Sequence, residues 1–198
     1  MPGAKVPERE RREQILHAAV AVATQAGLAS LTVRKIAEAA GTSVGLVFFH
    51  YQTMELLRDA LLDWLLERVL RLDLGAIRQR WLSPRERVLG LLAEELTAAH
   101  SLRSEITLLL EYWVQSTQQP AVRHRLQHAL ADYTAVVHAL AADALAAATV
   151  AAVTPAGFAS AAVRGILGVG LEMVVVDAAP DATAQLAMLA ALLPGETR

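Results

Sequence analysis

The 198-residue chain contains no cysteine, which excludes a disulfide framework, a thiolate zinc site and a cysteine nucleophile. Aromatics make up 5% of it, and β-branched residues gather only in short runs such as Val174-Val175-Val176. Alanine and leucine dominate instead, the balance of an all-α protein. The N-terminal stretch MPGAKVPERERREQ lacks the apolar core of a signal peptide. The longest uncharged stretch, Ala144 to Val163, is interrupted by Thr154-Pro155 and contains Gly157 and Ser160, so it reads as two helices meeting at a turn rather than a membrane span. A cytoplasmic protein is expected. Enzyme signatures are missing too: there is no Gly-x-Ser-x-Gly elbow and no pair of carboxylates in an apolar setting. The run from Gly165 to Gly170 follows a helical segment rather than a strand, and has no lysine or serine for phosphate. No catalytic residue and no cofactor are expected. His124, His128 and Asp132 share one helical face, but Arg123 and Arg125 flank them; a solvated face is the better reading, and no metal site is expected.

What is present is helix punctuation. Thr32 caps a short helix with apolar residues at Val33, Ile36, Ala37 and Ala40. Gly41 supplies the positive-φ residue that ends it. Ser43 caps a second helix, Val44 to about His50, short enough for a DNA major groove. Thr53 opens a helix from Met54 to about Arg71, extending toward Arg80. Ser83-Pro84 opens one ending near His100, and Ser104 to Ser116 forms the next. Pro120 opens a long helix to about Ala148, Thr154-Pro155 one to about Val176, and Asp181 a last one ending before Pro194-Gly195. Charge is distributed unevenly along these segments. Residues 1–52 carry six cations (Lys5, Arg9, Arg11, Arg12, Arg34, Lys35) against four anions (Glu8, Glu10, Glu13, Glu38), while the whole chain is −2. A mildly basic head on an acidic body fits nucleic-acid contact at the N-terminal end.

The segment Ile36-Ala37-Glu38-Ala39-Ala40-Gly41-Thr42-Ser43 resembles the turn of the TetR family of one-component transcriptional regulators. AVAVATQAGLASLTV before it, and Gly45, Phe48-Phe49, His50-Tyr51 and Glu55-Leu56-Leu57 after it, match the same pattern. The likeness is specific over residues 9–69 and architectural beyond. It implies an all-α fold of about nine helices, with a three-helix helix-turn-helix domain over 9–69 (motif 32–51) and a helical effector-binding and dimerisation domain over 70–198. It also implies phosphate contact by Arg9, Arg11 and Arg12. Two positions depart from the pattern: Met54 stands where lysine is usual, and Val44 where a polar or basic residue is frequent. Both weaken the phosphate contribution to affinity.

In such a head, Val44, Gly45, Leu46, Phe48 and Phe49 offer apolar contact to thymine methyls, while Val47 and Tyr51 face the core. Thr32, Thr42, Ser43 and His50 suit phosphate, and Arg34 reaches a phosphate or a base. Tyr51 closes this DNA-binding set. The resemblance places an effector among the middle helices, where the candidates are Trp81, Leu109, Glu111, Tyr112, Trp113, Tyr133, Val137, His138 and Ile166. Glu111 beside Tyr112-Trp113 suits a lipophilic amine. Small residues at Ala161, Gly165 and Gly168, with Leu186, Leu189 and Leu193 on the last helix, form the expected homodimer interface, since the resembled family builds a four-helix bundle there. The chain thus reads as a ligand-responsive repressor on a pseudo-palindromic operator. A helical dimer of the same fold that binds a hydrophobic molecule without useful DNA affinity stays open as the alternative.

Overall fold

The computed structural model describes residues 7–70, 81–146, 153–176 and 181–194. Among them are nine α-helices: α1 (Glu8–Ala26), α2 (Val33–Ala39), α3 (Val44–Tyr51), α4 (Met54–Val69), α5 (Pro84–Ser101), α6 (Arg103–Gln115), α7 (Pro120–Leu145), α8 (Pro155–Val175) and α9 (Ala182–Ala191). A single 3-10 turn, Leu28–Ser30, joins α1 to α2. The expected caps are made. Thr32, Ser43 and Thr53 accept from the amides of Lys35, Leu46 and Leu56, each satisfying an orphan donor of the helix it opens. Ser83 and Glu86 complete a reciprocal capping box. Thr154 and Asp181 accept from Gly157 and Thr183. The expected extension of α4 toward Arg80 and of α7 to Ala148 falls largely on 71–80 and 147–152, outside the described residues.

Two large apolar cores organise the molecule. The first joins α1 to α4 through Ile15, Leu28, Ile36, Val47, Leu61 and Leu65, and is completed by Leu108, Leu109 and Tyr112 of α6 and by Val122 and Leu126 of α7. The second joins Val88, Leu91 and Leu92 of α5, Val137 of α7, Phe158 and Ala162 of α8, and Leu189 of α9. A small cluster of Ala99, Ile106 and Met173 lies between α5, α6 and α8. α8 is long and apolar enough to cross a membrane, but it packs against α5, α6, α7 and α9 and buries Phe158, Ala159, Ala162, Val163 and Met173 in the molecule.

Candidate nucleic-acid interface and small-molecule cavity

The α2–α3 pair is a seven-residue and an eight-residue helix joined by Gly41 at φ 60°. The amide of Thr42 donates to Ala37 O at 2.9 Å, closing the turn. Val47 and Tyr51 are buried at 1% and 2% exposure and fasten α3 to the first core. The opposite face is open: Phe49 is 70% exposed, Phe48 39%, and Gly45 and Ser43 are exposed beside them. Thr32, Arg34 and Lys35 are exposed on α2 and its cap; Thr42, Val44 and Leu46 are half-buried, and Val44 packs on the first core. Met54 packs there as well, which gives the position an apolar use.

Two of the arginines expected at phosphate are engaged within the molecule. Arg12 lies over the Tyr51 ring, 4.5 Å from its centroid, and donates to His50 O at 3.2 Å; Tyr51 Oη returns a bond to Arg12 O at 3.0 Å. Arg12 is therefore occupied in tying α1 to α3. Arg9 pairs with Glu13 one turn on. His50 is buried, its ring edge-to-face with Phe49, so neither its side chain nor that of Tyr51 stands on the open face.

A cavity of about 680 Å³ opens between α4, α5, α6 and α8. Of the expected effector residues, Leu109, Trp113 and Ile166 line it. The others are placed elsewhere. Trp81 is 79% exposed, away from the cavity. Glu111 points the opposite way along α6, accepting the Leu28 amide at 2.9 Å with its carboxylate against Gly27, whose φ is +77°. Tyr112 is buried and donates to Arg58 O at 2.8 Å. Burial pushes its phenol well above the ordinary range. Val137 is sealed in the second core, Tyr133 is buried behind the wall, and His138 is on a separate groove between α7 and α8. The reason is rotational: along α6, Leu109, Leu110, Trp113 and Val114 share the cavity face, while Glu111 and Tyr112 fall on the face toward α1 and α4. Sequence reading missed Arg68, Glu95, Leu102, Ile106 and Leu167 in the lining.

The expected dimer residues also divide. Leu189 and Leu193 are buried in the second core, and Ala161 and Leu186 pack against it. Gly165 is covered by Gln185 of the same chain, which a Cβ there would strike. Gly168 has open space before it and lines the cavity. The apolar surface left exposed by α8 and α9 is Leu171, Val175, Val176 and Met188.

Residues 15–61 match the family described as bacterial regulatory proteins, tetR family. Over that segment the chain is similar to the TetR family. Among curated proteins it is similar to the HTH-type transcriptional regulator BetI of Paraburkholderia phymatum, 30% identical over 129 residues, which are 63% of each chain. BetI of Brucella anthropi is 31% identical over 59% of this chain and 60% of its own. The match thus spans less than two thirds of those regulators' length. Among solved structures, a TetR transcription regulator from Haloarcula marismortui superposes with a TM-score of 0.81 at 23% identity, covering 94% of this chain and 100% of its own, a likeness of fold. The multidrug binding protein EbrR complexed with malachite green superposes with a TM-score of 0.63 at 26% identity over 94% of this chain and 99% of its own. The family's match falls on the three helices α1, α2 and α3 and on the first turns of α4.

Proposed function

We propose that this protein is a ligand-responsive transcriptional repressor, acting in the cytoplasm as a homodimer on a pseudo-palindromic operator. The observation that carries the proposal is α6, which walls the cavity with Leu109 and Trp113 and grips the reading head with Glu111 and Tyr112. The division is a reading head over 9–69 and an effector and dimerisation part over 70–198. Operator contact falls to Thr32, Arg34, Thr42 and Ser43 on the polar side, and to Gly45, Leu46, Phe48 and Phe49 on the apolar one. A small molecule in the cavity favours a state in which the two heads no longer match half-site spacing. Malachite green bound to EbrR and the regulators named BetI support this reading.

The dimer face is the exposed strip of Leu171, Val175 and Met188 rather than the buried leucines of α9. Leu171→Glu with Met188→Glu should leave a folded monomer on sedimentation; an intact dimer would move the interface elsewhere. Selection of binding sites from random DNA tests the central claim. A specific, salt-sensitive, two-fold-symmetric site is expected. Absence of any specific band favours the rival reading, a cavity protein without useful DNA affinity, which the half-buried Val44 and core-packed Met54 would explain.

A further inference from the structure

The cavity reaches the surface along α8. Ile166, Leu167 and Gly170 line its inner part. Gly168 and Leu171 belong to the same lining but are exposed, Leu171 by 54%. Val114 of α6 is in the lining too and is 71% exposed. Apolar side chains of a cavity wall that stay this wet mark a mouth in need of cover. The mouth runs on into the strip proposed for the dimer: Gly168, Leu171 and Val175 follow at steps of three and four residues on one helix face, and all three are exposed. Two charges share that face. Arg164 and Glu172 are exposed, four residues before and four residues after Gly168. Arg164 also donates to Ser160 Oγ, which engages one of several N–H groups on its guanidinium. At Gly168 itself an added Cβ would meet nothing within 4 Å, so a second backbone can come close there.

A two-fold axis at Gly168 sets the order in which these groups meet. With the two α8 helices antiparallel, Arg164 of each copy meets Glu172 of the partner subunit, twice by symmetry. A parallel crossing would set arginine on arginine and glutamate on glutamate, like charges that oppose association. Resting on the readings of the cavity as the effector site and of the α8 strip as the dimer face, we propose that two copies cross antiparallel at Gly168 and that the second copy closes the mouth of the cavity. Each site is incomplete in a single chain. The partner's α8 passes over Gly168 and Leu171 and takes their exposed sides out of water. A molecule in the cavity is therefore held more tightly by the dimer, and by reciprocity its presence tightens the dimer.

Charge exchange tests the crossing, and a neutral fluorescent lipophile, pyrenebutanol, tests the closure. Arg164→Glu and Glu172→Arg should each shift the full chain toward monomer on sedimentation at micromolar concentration. Mixed together they should pair again, because the heterodimer restores both contacts, and the two exchanges combined in one chain should dimerise like the wild type. Recovery on mixing shows that each variant is folded, and no contact within one chain can produce it. The wild-type dimer should bind pyrenebutanol about tenfold more tightly than either variant alone, within the usual range of coupling between sites, and mixing should restore that affinity. Dimers that survive both single exchanges, or variants that stay apart when mixed, would overturn the crossing and the closure with it. Restored dimers with the same probe affinity throughout would show a cavity complete within one chain, overturning the closure while leaving the cavity as a ligand site. A wild type that sediments as a monomer would overturn the reading of the strip as a dimer face. Failure of the wild type to bind the probe would overturn the reading of the cavity itself, and its closure along with it.

Discussion

At the scale of single residues, the reading head separates side chains that hold the fold from those left for a partner. Arg12 has a ring, a carbonyl and a returned hydrogen bond; Arg34 is exposed on α2, facing solvent. Arg34→Ala should therefore leave stability nearly unchanged while weakening operator binding, with the salt slope reduced by roughly one unit for one lost phosphate contact. Titration at several salt concentrations checks this, and an unchanged slope removes Arg34 from the interface. Phe49 is 70% exposed, an unusual position for a large apolar ring unless something covers it. Phe49→Ala should cost little stability but lower operator affinity, with the loss concentrated at thymine positions and reproduced in part by uracil there. Equal affinity for thymine and uracil operators would show that the ring reads no methyl group.

At the scale of elements, the joints matter more than the helices. Glu111 lies 83 residues from Leu28 in sequence, yet satisfies its amide at the turn where Gly27 holds φ +77°. A carboxylate placed this way caps a short turn much as an N-cap caps a helix, and the absent side chain of Gly27 lets it approach. Glu111→Ala should cost about 1–3 kcal/mol by leaving that amide unmet, and Leu28 should exchange its amide hydrogen faster; exchange at the native rate would show that another group protects it. The joint between α3 and α4 is strained. Thr53 N donates to Tyr51 O at 2.6 Å around Gln52 at φ 59°, ψ −50°, a tight γ-turn of the rare positive-φ kind. Gln52→Gly should stabilise the protein by roughly 1 kcal/mol, since glycine enters that region at little cost. Urea denaturation measures it, and a lower midpoint would mean that Gln52 contributes contacts worth more than its strain.

At the scale of the whole molecule, the chain's three tyrosines all tie separate elements together: Tyr51 to α1, Tyr112 to α4 and Tyr133 to α5. Burial is the largest cause raising each phenol above 10.0. A phenol with a raised folded pKa binds its proton more firmly folded than unfolded. Its contribution is complete below pH 10 and lost as pH climbs beyond it. Stability should thus fall steeply on the alkaline side, and the phenolate absorbance of all three should appear together with unfolding. A phenol titrating at its ordinary value in folded protein would contradict the burial described for it.

The sequence by itself determined the helices, their order and the reading head. Caps such as Thr32, Ser43, Thr53 and Thr154, and breakers such as Gly41, act on neighbours within a few residues, so their effect is visible in the chain. Periodicity likewise placed Val47 and Tyr51 inward. Tertiary structure alone decided which faces of the long helices meet. Along α6, Glu111 and Trp113 fall on nearly opposite faces, and spacing alone does not say which of the two sees the cavity; packing against α1 and α4 turned Glu111 away. The leucines of α9 suited an interface and a core equally well, and burial against α5 and α8 took Leu189 and Leu193 inside. The cavity draws residues from four helices between Arg68 and Leu171. Glu95 in its lining accepts a hydrogen bond from Tyr133, 38 positions away; a void is defined by what its surroundings fail to fill, and no local pattern encodes that.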